Sequence, residues 1–178
     1  QSMVLKVIDL ENGDSKAAFK NVNMDMRNYK RIKMYVHAEA INEETLNDGD
    51  ISVFLRIGSD YTSNFYEYEI PLKLTSWYES DADLIWPFEN EFDIPFELFQ
   101  SVKQIRNNAL NDSQNNQINS YNDLFEYFDG NNKVSVLGNP NLGDVKSIMI
   151  GLRNPETTND ISSKSAEVWV NELRLTDF

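Results

Sequence analysis

The residues that decide the fold are Ala166-Glu-Val-Trp-Val-Asn-Glu-Leu-Arg-Leu-Thr-Asp-Phe178, at the end of the chain. Apolar and polar side chains alternate there with the two-residue period of a β-strand that turns one face toward a core. The alternation has one irregularity, at Asn171-Glu172, and its apolar positions are Val168, Val170, Leu173 and Leu175. A strand this apolar belongs near the middle of a sheet, and we expect its Trp169 to anchor the core.

A strand in the middle of a sheet needs a long-range partner, and the best match is Lys30-Arg-Ile-Lys-Met-Tyr-Val-His-Ala-Glu-Ala40. This segment shows the same period, with apolar side chains at Ile32, Met34, Val36 and Ala38. We therefore predict that residues 30–40 lie beside the closing strand. We also predict that the first strand, within residues 3–10, shares a sheet with the last.

The remaining segments predict a mainly β protein. Residues 51–57 and 65–74 are strand-like and separated by a polar loop, which indicates an antiparallel hairpin limited by Pro71. One helix is predicted at about residues 95–110, with Leu98, Val102, Ile105 and Ala109 on its apolar face. Seven or eight strands with one helix favour a jelly-roll-like antiparallel β-sandwich of the galactose-binding-like type, forming a single domain over residues 1–178.

Composition excludes several function classes. The chain has 178 residues, of which 40% are hydrophobic, and 29 acidic residues outnumber 16 basic ones to give a net charge of −13. Nucleic acids and anionic membrane surfaces require clustered lysine and arginine, so neither is an expected partner. With no cysteine and one histidine, His37, thiol chemistry and multi-histidine zinc sites are excluded. No segment reaches the roughly 20 apolar residues of a transmembrane helix.

Acidic residues near both ends of the chain suggest one metal site. Asp9, Glu11 and Asp14 would approach Asp177 if the terminal strands were neighbours. Carboxylates with backbone carbonyls are ligands for calcium, which would then be structural. The alternative is a solvated acidic surface, and no calcium-loop spacing supports the metal. No other cofactor is expected.

Aromatic residues in a loop-like stretch suggest a second kind of site. Trp77 and Tyr78 are the candidate ligand-binding residues, because exposed aromatic rings stack on sugars or on partner chains; packing into the fold is the alternative. Trp86 is assigned to the core. His37 lies beside Glu39 on a strand and is interpreted as a surface residue, not a catalytic base. We expect no enzyme, because no catalytic constellation stands out.

Several blocks occur together in a familiar order. Read along the chain, they are Arg31–Glu39, Ile57–Tyr61, Tyr66–Leu74, Gly138–Gly143, Ile148–Pro155 and Lys164–Asp177. In this order the chain resembles an internal region of the SprA (Sov) family of Bacteroidota. The blocks are strands and turns, so the resemblance brings no catalytic residues.

The resemblance implies a non-catalytic domain of a much larger protein. The family forms the outer-membrane translocon of the type IX secretion system, which exports proteins to the cell surface and supports gliding motility. The chain would then be a soluble domain that does not span the membrane, in a parent protein of a Gram-negative outer membrane. Its expected partners are other translocon subunits or cargo. The alternative is a carbohydrate-binding module of a surface protein.

Overall fold

The computed structural model describes residues 2–41 and 45–177 as two antiparallel sheets packed face to face. The β-sandwich expected from the sequence is therefore confirmed, while its jelly-roll connectivity stays a prediction. Within the described residues, the strands are β1 (Ser2–Leu10), β2 (Ser15–Met24), β3 (Arg31–Ala40), β4 (Ser52–Gly58), β5 (Phe65–Pro71), β6 (Phe92–Pro95), β7 (Phe125–Asp129), β8 (Asn132–Leu137), β9 (Val145–Arg153) and β10 (Lys164–Thr176). The helices are α1 (Ala82–Ile85), a 3₁₀ turn (Phe88–Asn90) and α2 (Phe96–Leu110).

The closing strand organises a four-stranded sheet of order β1-β10-β3-β6. It pairs antiparallel with β1 on one side and β3 on the other, so both the predicted neighbour and the shared sheet of first and last strands are confirmed. The predicted irregularity is also present, because the register with β3 shifts between Asn171 and Arg174. Glu172 has a φ of 56° there, the left-handed geometry often found where an extra residue is inserted.

The second sheet has six strands in the order β2-β9-β4-β5-β8-β7. Its centre is the antiparallel pair β4–β5, which confirms the predicted hairpin. Side chains alternate across it: Val53, Leu55 and Ile57 of β4 are buried in the core, and Phe54 and Arg56 point to the opposite face. The core between the sheets is one continuous cluster of buried apolar residues.

Helix α2 lies at the rim of the sandwich, against β6 and β8. Its bounds confirm the predicted helix. Of the predicted apolar face, Val102 is buried and Leu98 and Ala109 are partly buried against the core, so the prediction is wrong only at Ile105. Ile105 is exposed, whereas the buried positions are Phe96, Phe99, Val102 and Arg106. Two large rings near the start of the helix occupy the space above the core, and Phe99 stacks on Tyr66 with ring centroids 5.2 Å apart. They set the rotation of the helix about its own axis.

Sequence patterning underestimated the strand number, because ten strands are present among the described residues where seven or eight were predicted. Strand β6 is only four residues long, too short to show a clear alternation, and it ends where the predicted helix begins. Strand β2 has ten residues, almost all of them exposed, so it lacks the apolar alternation of a half-buried strand. No helix in the described part of the chain is long and apolar enough to cross a bilayer.

Candidate functional site

The outer face of the four-stranded sheet carries a row of aromatic and apolar side chains. The register places Val4 of β1 opposite Trp169 of β10, and Trp169 opposite His37 of β3. Trp169 is 39% exposed, so its assignment to the core is wrong. The physical reason is alternation: Val168 and Val170 occupy the inward positions, which leaves the intervening indole on the outside.

His37 fastens a crossover segment, residues 75–91, onto this face. Its Nδ1 donates to the carbonyl oxygen of Ile85 at 2.8 Å and lies 3.1 Å from the hydroxyl of Thr75. That hydroxyl donates in turn to the carbonyl oxygen of Leu84 at 3.1 Å. His37 lies on the outer face of the sheet, where the crossover leaves its side chain only 12% exposed, so it is less accessible than a surface residue on an open face. It acts as a structural link between strand and crossover.

The crossover is held in shape by its own hydrogen bonds. Asp81 caps α1 by accepting from the backbone N–H of Asp83. Asn90 is fully buried, and its side-chain amide bonds both the N–H and the carbonyl of Lys73 at 2.8 Å. Trp86, which was assigned to the core, is only half-buried and stands 5.8 Å from the His37 ring between their centroids. Its neighbour Phe88 is exposed.

A groove of about 720 Å³ runs between this crossover and the sheet. We call it the aromatic groove, and its lining residues are Tyr35, Ala82, Asp83, Trp86, Phe88, Glu89, Glu91 and Asn171. Aromatic rings supply contact area and the carboxylates make the groove acidic, so it suits a basic or neutral partner and repels anions. A groove of this chemistry is suited to binding. Sequence reasoning missed it because its walls come from three separate segments.

Trp77 and Tyr78, the predicted ligand-binding residues, lie at the start of the same crossover. Trp77 is 48% exposed and its indole Nε1 donates to the carbonyl oxygen of Ala40 at 3.2 Å. Tyr78 is 98% exposed and has a φ of 66°. Neither side chain lines the aromatic groove. Both are available to a ligand, and ligand binding by them stays a prediction.

The predicted calcium ligands are spread over the two ends of the four-stranded sheet. Because β1 and β10 are antiparallel, Leu10 pairs with Lys164 at the start of β10, so Asp9 and Glu11 lie at that end. Asp177 follows the far end of β10, where its carbonyl oxygen accepts from the N–H of Lys30. Across residues 2–41 and 45–177, the structure assembles no group of three or more potential metal-ligating side chains. Calcium binding at either end stays a prediction.

Comparison with known families connects this geometry to a biological context. The sequence profile of SprA_N, described as motility related/secretion protein, matches residues 1–178. The chain belongs to the SprA_N family. The resemblance drawn from the sequence blocks is therefore confirmed, and SprA_N is a motility and secretion family, not an enzyme family. No curated protein matches the chain.

The outer face of the six-stranded sheet in this SprA_N chain carries a buried ion-pair network that sequence reasoning missed. Arg153 of β9 donates to Glu67 at 2.7 Å and to Glu69 at 2.5 Å, both on β5. Arg56 of β4 also pairs with Glu67 at 2.7 Å, and Lys133 of β8 lies 3.6 Å from Glu69. The charges therefore join four adjacent strands.

Burial alone would lower the pKa of Arg153, but hydrogen bonds to Glu67 and charge attraction from both glutamates raise it overall. Rings shield the network from water, since the Arg56 guanidinium lies 3.8 Å from the ring centre of Phe65. Ser52 completes it by donating to Glu69 at 2.5 Å. Since both glutamates are ion-paired and buried, the network holds the sheet together and presents no free acid or base.

Proposed function

We propose that this chain is a non-catalytic structural domain of the type IX secretion translocon in the outer membrane of a Gram-negative bacterium. In that role it would support export of proteins to the cell surface and gliding motility. The observation that carries the proposal is the match of the whole chain, residues 1–178, to a family described as motility related/secretion protein. The resemblance of the strand and turn blocks to the SprA family supports the finer assignment.

The aromatic groove is the surface that we assign to a partner, either another translocon subunit or cargo. Contiguous exposed apolar and aromatic side chains mark interaction sites on soluble proteins, and Val4 and Trp169 extend the groove across β1 and β10. Asp83, Glu89 and Glu91 border its aromatic floor. The partner surface that fits is therefore apolar at its centre with lysine or arginine around it.

A non-enzymatic role agrees with the chemistry of the titratable groups. The single histidine is engaged by Ile85 and Thr75, and it holds the crossover in place. Glu67 and Glu69 are bound by arginine and lysine side chains. The hydrogen bonds and ion pairs of these groups therefore occupy the atoms with which a general acid or base would contact a substrate.

Replacement of groove residues in the parent protein tests the proposal. Phe88→Ala, alone and combined with Trp86→Ala, should reduce secretion of cargo and gliding while the parent protein is still produced. Phe128→Ala is the matched control, because Phe128 is an exposed ring on β7 of the other sheet. Normal secretion and gliding in the double variant would count against the groove as the partner surface. Deletion of the whole domain with no change in either would count against the proposed function itself.

A carbohydrate-binding module is the second candidate, favoured by the exposure of Trp77 and Tyr78. Titration with a panel of oligosaccharides, followed by tryptophan fluorescence, distinguishes it from the structural role. Trp77→Ala should abolish the response, whereas Trp169→Ala, on the outer face of β10, should retain it. No response across the panel, or an unchanged response in the Trp77 variant, would exclude this site.

A further inference from the structure

We propose that a pocket at the rim of the sandwich, between α2 and the turn at residues 138–143, binds an oxyanion of the carboxylate or phosphate type. We call it the cationic pocket; its volume is about 260 Å³, and its walls include Arg27, Tyr66, Lys103, Asn107 and Asn141. The site is separate from the aromatic groove, and the proposal does not depend on the function proposed above.

The charge of this pocket is opposite to that of the molecule. The chain has 29 acidic residues, yet none of the residues that line the cationic pocket is acidic. The aromatic groove, by contrast, is lined by three carboxylates. An anion is therefore repelled from most of the surface and meets a locally positive wall here.

Lys103 supplies the charge that a bound anion would meet. Its Nζ donates to the carbonyl oxygen of Pro140 at 2.8 Å, which leaves two of its three N–H groups for other acceptors. Within residues 2–41 and 45–177 it forms no ion pair with a carboxylate. Burial and the positive charge of Arg106 both lower the pKa of Lys103, as expected for an ammonium group without a counter-charge.

Arg106, one helical turn beyond Lys103, is a second uncompensated cation. It is completely buried, and its guanidinium lies 4.7 Å from the ring centre of Tyr121. Its Nε donates to the side-chain oxygen of Asn107, a pocket residue, at 2.9 Å. Neither Nη1 nor Nη2 has a hydrogen-bond partner in the described part of the chain. Arg106 does not itself line the pocket, so Lys103 is the direct donor there. A buried charge without a partner is costly, and an anion held by Lys103 would also offset the charge of Arg106 behind the pocket wall.

The donors and the size of the pocket define the ligand class. Arg27 is held by Asp25 through two side-chain hydrogen bonds of 2.9 and 2.6 Å, so that pair adds little net charge. Lys103 and the side-chain amides of Gln100, Gln104, Asn107 and Asn141 are the available polar groups. The volume lies just below the roughly 300–1,000 Å³ of typical small-molecule sites, which favours one compact charged group. Carboxylate and phosphate share this chemistry and accept charge-assisted hydrogen bonds.

Titration of the full chain with inorganic phosphate and, separately, with acetate tests the proposal. Ionic strength is held constant with chloride, and binding is followed by calorimetry and by backbone amide NMR shifts. Lys103→Gln removes the charge while keeping a polar side chain of similar length. Lys16→Gln is the matched control, because Lys16 is an exposed lysine on β2 that does not line the pocket.

We expect saturable binding of at least one anion, with shifts that cluster around residues 100–107 and 138–143. Binding should weaken by about tenfold or more in Lys103→Gln and stay unchanged in Lys16→Gln. A response to acetate alone would identify a carboxylate ligand, and a response to phosphate alone a phosphate ligand. Absence of saturation with both anions, or equal affinity in the parent and Lys103→Gln, would overturn the proposal.

Discussion

Trp169 of β10 and His37 of β3 lie directly opposite each other, with their rings edge to face and the centroids 6.4 Å apart. The indole is also held by its own strand, since Trp169 Nε1 donates to Glu167 at 2.9 Å. His37 in turn bonds the carbonyl of Ile85, which leads into the aromatic groove. The strand pairing that builds the sheet therefore also positions the surface assigned to a partner.

Removal of the His37 ring should loosen the crossover without unfolding the sandwich. In His37→Ala the carbonyl of Ile85 and the hydroxyl of Thr75 lose a partner, and the cost of an unsatisfied polar group is about 1–3 kcal/mol. Urea unfolding should show that loss of free energy of unfolding, and limited proteolysis should cut first within residues 75–91. Stability and protection equal to those of the parent would show that the crossover is held by other contacts.

The buried ion-pair network should be far more sensitive than an exposed pair. Arg153→Met leaves Glu67 and Glu69 buried with fewer counter-charges, and breaking a buried pair in this way costs about 3–5 kcal/mol. Lys146→Met is the control, because Lys146 pairs with Asp144 in an exposed position, where such pairs contribute about 0–1 kcal/mol. Chemical denaturation of both variants gives the comparison. Similar losses in the two variants would contradict a stabilising role for the network.

Gly138 should tolerate no side chain. A Cβ there would lie 2.0 Å from the carbonyl oxygen of Ser63, and the φ of 67° already disfavours an L-residue. We expect Gly138→Ala to lower the free energy of unfolding by more than about 2 kcal/mol. Gly130→Ala is the matched control, with a φ of 63° but open space around the added atom, and should lose only about 1–2 kcal/mol. Thermal or urea unfolding of both variants separates the effect of the positive φ, which they share, from the steric clash, which only Gly138→Ala has. Equal losses of stability in the two variants would show that the clash does not destabilise the fold.

The pairing of β3 with β10 could be predicted from sequence because the alternation of apolar and polar side chains shows which face of each strand is buried. Apart from the irregularity at Asn171-Glu172, both β3 and β10 have apolar side chains at every second position, and only one arrangement buries both sets. The same alternation places Trp169 on the outside, between the inward-facing Val168 and Val170, although the apolar character of the strand favoured a place in the core. Helix α2 was recognisable from length and spacing, whereas its rotation depends on Phe96 and Phe99 packing against other elements.

The candidate site was beyond sequence reasoning for a different reason. The aromatic groove joins Tyr35, Phe88 and Asn171, which are distant in the chain and meet only after the crossover folds back. The predicted calcium ligands show the converse case, since neighbouring strands do not bring their acidic ends together when they run antiparallel. The direction of a strand pair is set by topology, which composition and spacing do not encode.

Asp60 should make the stability of the fold depend on acid pH. Its carboxylate accepts from the backbone N–H groups of Thr62, Ser63 and Asn64 and from the Asn64 side chain. Burial works to raise the pKa of Asp60, but these hydrogen bonds, led by the Asn64 side chain, hold it well below the usual value. The Asn64 amide oxygen also accepts from the N–H of Asn139, so this turn supports the one at Gly138.

The sign of the effect follows from this lowered pKa. A carboxylate whose pKa is lower in the folded state stabilises the protein above its unfolded pKa of about 3.9, and the stabilisation is lost as the pH falls below that value. Asp60→Asn keeps an acceptor oxygen but removes the charge. Between about pH 6 and 8, the free energy of unfolding of the parent should therefore exceed that of the variant by a constant amount. Below about pH 4 this difference should shrink. Urea unfolding of both proteins at neutral and acidic pH measures the margin, and one that stayed constant under acidic conditions would show that the Asp60 charge does not stabilise the turn.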